Sequence, residues 1–94
     1  MRALLALPLI FAPAIAAAEP SLKCNFEGRK TSVVVANPDN ADKQCNYACN
    51  FTLEGGSRSI SGSTTVKAGE TKIADEDIGR TAVTGVRSSS LDCK

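Results

Sequence analysis

The chain has no histidine, no tryptophan and almost no net charge, with 11 Lys+Arg set against 10 Asp+Glu in 94 residues. The missing histidine removes the side chain that most often carries general acid/base work and binds transition metals. Nine serines lie between residues 19 and 94, but with no histidine a serine nucleophile lacks its usual base. The balanced charge excludes nucleic acid or an anionic membrane surface as the main partner, because both demand a clustered basic excess. Aromatic residues are scarce too, at 4%. Nothing here builds a catalytic centre or holds a cofactor, and the chain is expected to be non-enzymatic.

What is present divides into two parts. Met1-Arg2 is a short basic start, followed by an apolar run from Ala3 to about Ala14 and by Ala16-Ala17-Ala18. Glu19-Pro20 then opens a polar chain. This is the pattern of a secretory signal peptide over residues 1–18, cut between Ala18 and Glu19. The run is too short for a membrane helix of about 20 apolar residues, and Pro8 and Pro13 interrupt it. Lys23 before Cys24 does not suit a lipoprotein signal, where a small residue is needed. The expected product is one domain, residues 19–94, secreted or periplasmic and without stable membrane association.

Removing the leader lowers the hydrophobic share from 43% to about a third. Fifteen large apolar residues remain to build a core. At about 1.5–3 kcal/mol per buried side chain they barely offset the chain entropy of so short a domain. Export and a thin core together mark Cys24, Cys45, Cys49 and Cys93 as two structural disulfides. Zinc would favour two close cysteine pairs, and only Cys45 and Cys49 are close. Redox exchange would favour C-x-x-C, which does not occur.

Period-2 alternation and abundant β-branched and Ser/Thr residues predict strands throughout. Leu22, Cys24 and Phe26 share one face, and a Gly28-Arg29 turn places Cys24 opposite Val33 and Leu22 opposite Val35. Asn37 to Asp42 reads as a loop. Cys45, Tyr47, Cys49, Phe51 and Leu53 form the cleanest alternating face. A Gly55-Gly56 turn then pairs Phe51 with Ile60 and sets the small Gly62 beside Cys49. Ala68-Gly69 offers a third turn, Asp75 to Gly79 breaks the pattern, and the last strand or pair of strands runs from Arg80 to Cys93, with a bulge near Gly85. About six short strands predict a small all-β antiparallel sandwich, immunoglobulin-like in general architecture.

The strand through Cys45 and Cys49 also restricts the pairing. Four extended residues span roughly 13 Å, whereas bridged Cα atoms lie within about 7 Å. A Cys45–Cys49 bridge is therefore excluded. The preferred expectation is Cys24–Cys45 with Cys49–Cys93, and the second choice is Cys24–Cys49 with Cys45–Cys93.

The remaining features have modest readings. Asp75-Glu76-Asp77 and the 37–42 loop are oxygen-rich but lack the spacing of a calcium loop, so they read as solvated turns and no metal site is expected. Asn50-Phe51-Thr52 matches the N-glycosylation pattern, which matters only in a eukaryotic source. Singly spaced cations, among them Arg58 and Arg87, read as outward charges that protect strand edges. Val34 is out of phase and marks either a second buried contact or a partner patch. The expected function is an exported binding or structural module with a protein partner, contacted through loops 37–44 and 54–57. The alternative is a secreted inhibitor or effector that presents a loop or an edge strand to another protein, such as a hydrolase.

Overall fold

The computed structural model describes residues 19–94; the expected leader, ending at Ala18, lies outside the described residues. Six strands follow one another: β1 (Ser21–Glu27), β2 (Lys30–Ala36), β3 (Lys43–Leu53), β4 (Gly56–Val66), β5 (Thr71–Ile78) and β6 (Val83–Cys93). They form two three-stranded antiparallel sheets, ordered β1-β2-β5 and β4-β3-β6. The neighbour order is that of an immunoglobulin-like sandwich, in which the second strand pairs with both the first and a later one. The expected fold class is the observed one.

Two tight hairpins set the register. Gly28, at φ 61°, opens the β1–β2 turn and leaves Cys24 opposite Val33 and Leu22 opposite Val35, as the sequence predicts. The β3–β4 turn is Glu54-Gly55 rather than Gly55-Gly56, with Gly55 at φ 83°. Phe51 therefore opposes Arg58, and Cys49 opposes Ile60. The slip of two residues preserves the inward face, because side chains repeat with period two. Gly62 consequently lies opposite Tyr47, not Cys49, and a Cβ there would meet the Tyr47 hydroxyl at 2.6 Å. It accommodates a phenol ring instead of a sulfur bridge.

The later strands depart further from the expected pattern. The Ala68-Gly69 turn exists, but it carries the chain from one sheet to the other. Asp75 to Ile78 continue β5 rather than breaking it, since a bulge at Ala74 resets the pairing with β2. In β6, Thr84 and Arg87 are bulged out on either side of Gly85 and Val86.

The core lies between the two middle strands. Val33 and Val35 of β2 face Cys45, Tyr47, Cys49 and Phe51 of β3, with Ile60, Val66 and Val83 closing the sides. Phe51 is the largest fully buried side chain.

Both disulfides are present, but the preferred pairing is overturned. Cys24 bonds Cys49, and Cys45 bonds Cys93. The preferred pairing treated the first three strands as one sheet, which would bring the starts of β1 and β3 together. They belong to different sheets, and Cys24 instead faces Cys49 across the sandwich, with Cα atoms 5.9 Å apart. Cys45 lies directly opposite Cys93, at 4.0 Å, on neighbouring strands of one sheet. Gln44 and Lys94 exchange two backbone hydrogen bonds, so the adjacent Cys45–Cys93 pair is a non-hydrogen-bonded one, where side chains approach closest. Cys45 and Cys49 are not bonded to each other, in keeping with an extended β3. Two intramolecular cystines are characteristic of an oxidising compartment.

Candidate functional site

The loops expected to make contacts are short or tied down. Asn37 is buried, and its Nδ2 donates to the carbonyls of Ala41 at 2.9 Å and Val66 at 3.0 Å. Its Oδ1 accepts the Asp39 N–H at 3.2 Å. The Ala68 N–H donates to Asp42, and the Gly69 N–H to the Asp39 carbonyl, so residues 37–42 are stitched to the 67–70 turn. The Asn40 N–H and the Lys43 ammonium hold the Asp39 carboxyl below its ordinary range. This loop is a structural corner, and the other end is a two-residue turn. Asn37→Ala should lower the unfolding free energy by about 1–3 kcal/mol, because it removes the buried amide that donates to Ala41 and Val66 and accepts from the Asp39 N–H. Urea denaturation measures it; a change within about 0.5 kcal/mol, typical of an ordinary surface substitution, would contradict the anchoring role.

The side of the sandwich between β4 and β5 is closed by polar groups. Arg58, expected outward, turns inward, and its Nη1 donates to Thr31 Oγ1 at 3.3 Å. Thr31 is buried and donates in turn to the Asp77 carbonyl at 3.4 Å. The Tyr47 hydroxyl donates to the Ala74 carbonyl at 3.4 Å and lies beside Asp75. Burial first, and then the Asp75 carboxylate, hold the Tyr47 phenol above its ordinary value of 10.0. The folded chain thus keeps this proton when the unfolded chain releases it, and stability falls as pH rises above about 10. Denaturation of the wild type and of Tyr47→Phe across that range should show a steeper decline for the wild type; equal slopes would refute the coupling. These groups link the two sheets along this side.

The outer face of the first sheet carries a shallow depression of about 360 Å³ lined by Asn25, Phe26, Glu27, Lys30, Ser32 and Glu76. Lys30 and Glu76 pair across it at 3.6 Å. Val34 is half-buried beside its register partner Ile73, which is 58% exposed. Val34 is therefore not part of a second buried contact. Among the described residues no three His, Cys, Asp or Glu side chains gather where they could hold a metal ion.

The second sheet differs in kind. Its outer face aligns Ser57, Ser59, Ser61, Ser63 and Thr65 of β4 with Thr52, Asn50, Ala48, Asn46 and Gln44 of β3. Ser88, Ser90 and Asp92 of β6 continue the rows. Ser63 donates to Asn46 Oδ1 at 2.6 Å, and Thr65 donates to Gln44 Oε1 at 2.6 Å. Asn50 bridges three strands: its Oδ1 accepts from Ser59 at 2.5 Å and its Nδ2 donates to Ser88 at 2.7 Å. The nitrogen that a glycan would use is thus already engaged. Asp92 is the one charge in these rows.

Comparison of the chain with family models, with curated proteins and with solved structures finds no match.

The second sheet has an open backbone edge. Gln44 and Lys94 exchange N–H···O bonds at 3.0 and 2.9 Å, so even-numbered β3 residues point their backbone groups at β6. Odd-numbered ones point at β4 and bond its even-numbered residues. Ser57, Ser59, Ser61, Ser63 and Thr65 therefore aim their N–H and C=O groups away from the sheet. Lys72 Nζ takes the Thr65 carbonyl at 3.1 Å. Among the described residues no strand pairs with the remaining groups. The sequence signal for this edge was the strict Ser-x-Ser-x-Ser-x-Ser alternation from Ser57, which sequence reasoning passed over in favour of the loops.

Proposed function

We propose that residues 19–94 act outside the cytoplasm, secreted or periplasmic, as a rigid non-enzymatic binding module that recognises an extended polypeptide along the free edge of β4. One observation carries this reading: an 11-residue strand in unbroken register with β3 presents outward backbone donors and acceptors flanked by neutral hydroxyl side chains. Main-chain hydrogen bonding supplies affinity in strand addition, and alternate side chains supply specificity. The rows beside the edge carry no cluster of cations, which suits neither nucleic acid nor an anionic membrane. Two cystines and a thin core give a scaffold that stays ordered in an oxidising medium.

A secreted inhibitor or effector that offers this edge to another protein is the second reading, and the same open edge favours it. Loop insertion is not favoured, because the 37–42 loop is bound into its corner. Ser61→Pro tests the common core of both readings. Proline removes an N–H that points away from β3, so the internal ladder is kept. Immobilised wild-type protein should retain binding partners from its own secreted or periplasmic fraction that the Ser61→Pro protein loses. Identical retention by both would overturn recognition at this edge. Inhibition of exported hydrolases by the wild type, abolished in the variant, would select the second reading.

A further inference from the structure

Natural sheets blunt their edges, and three of the four edges here are blunted. β1 has seven residues, begins directly after Pro20 and carries Lys23 and Glu27. β5 carries Asp75-Glu76-Asp77 and a bulge at Ala74. β6 is bulged at Thr84 and again at Arg87. β4 alone is long, free of bulges and proline, and charged only at Arg58. An edge with these properties in an exported protein is a template for a further strand.

We infer that the strand it accepts is β4 of a second copy of this chain, paired antiparallel about a twofold axis. The inference rests on the reading of β4 as a strand-accepting edge and names its occupant. An antiparallel strand can pair with itself about a twofold axis, which gives a closed dimer in place of an open fibre. The outward groups sit on odd-numbered residues, so a register centred on Ile60 brings Ser59 opposite Ser61 of the partner subunit and Ser57 opposite Ser63 of the partner subunit. Each such pair exchanges two backbone bonds. In this register Ile60 meets its own copy.

The charge pattern favours self-pairing. Arg58, the one charge on the strand, falls opposite Gly62 of the partner subunit, which has no side chain, and never opposite another cation. Serine hydroxyls on the outer face meet serine hydroxyls, the cross-strand combination that hydrogen-bonds in paired strands. The polar rows on β4, β3 and β6, charged only at Asp92, then run on across a single six-stranded sheet. A foreign peptide would meet the same backbone groups, but nothing on β4 beyond Arg58 provides charge with which to select one.

Sedimentation of the full chain, exported and purified with both disulfides formed, tests this directly. The wild type should show a concentration-dependent monomer–dimer equilibrium. Ser61→Pro should weaken the dimer by about tenfold or more, since it deletes interface hydrogen bonds on both sides of the axis. Ser59→Lys with Ser61→Lys, which leaves the backbone unchanged, should set lysine against lysine and also yield monomers, with dimerisation partly restored by salt. Thermal unfolding checks that each variant is folded, and the lysine variant decides should the proline variant not fold. A wild type that stays monomeric at high micromolar concentration overturns the inference, as does a dimer insensitive to the lysine pair. A monomeric wild type whose captured partners are still lost in Ser61→Pro would reject self-pairing and leave the edge reading standing.

Discussion

Converting Cys45 and Cys93 together to alanine should lower the unfolding free energy by about 4 kcal/mol in the chain-entropy account of cross-links. The bridge closes a loop with a sequence separation of 48, so it restrains more of the unfolded chain than Cys24–Cys49, whose separation is 25. The shorter loop is worth about 3.5 kcal/mol in the same account. A domain of this length has a total stability of about 4–11 kcal/mol. Loss of the longer bridge alone should therefore lower Tm by more than about 15 °C. Loss of both should leave the chain largely unfolded. Thermal and denaturant unfolding of the two double-alanine variants provide the measurement. If the Cys24–Cys49 variant proved markedly the less stable of the two, restraint of the unfolded chain would not be the main effect, and the cross-sheet contact itself would be.

The second large effect belongs to Phe51. It is fully buried and packs with Val33, Tyr47, Cys49, Ile60 and Val83 in the main core cluster. Phe51→Ala should cost about 3–5 kcal/mol, combining lost burial with the cavity left behind. Few large side chains surround it, and both cystines limit how far the sheets can close on the space. The expected result is a protein folded at room temperature only marginally, with both bridges intact. Denaturant unfolding under non-reducing conditions gives the value; a loss below about 1 kcal/mol would mean that the core is not organised around this ring. Both experiments probe the frame that holds β4 straight, and neither alters the edge itself.

Much of the frame was legible because alternation carries physical information. The inward set Cys45, Tyr47, Cys49 and Phe51 needed no knowledge of partners, since a strand alternates its faces whatever it pairs with. The β1–β2 register followed equally from Gly28, because a two-residue turn leaves only one pairing in phase. The β3–β4 register slipped because two adjacent glycines both suit a turn, and period two cannot tell a shift of two residues from none. Asp75-Glu76-Asp77 looks like a solvated turn in the sequence, while a bulge at Ala74 lets β5 continue through it.

The open edge was harder to see. The serines of β4 were visible as residues but not as an edge, because a strand becomes an edge only when the sheet order is known. Asn37 read as part of a loop composition and turned out to be its anchor. Arg58 read as an outward charge and turned inward to Thr31, because the facing sheet gives it an oxygen to reach.

The sequence by itself determined that this is an all-β, cystine-linked domain, because composition, alternation and cysteine content act locally along the chain. Only the tertiary structure decided which cysteines meet and which strand is left without a neighbour. Both depend on how the six strands are shared between two sheets. That sharing is set by long-range packing of β2 on β3, a contact between segments whose own patterns do not specify each other.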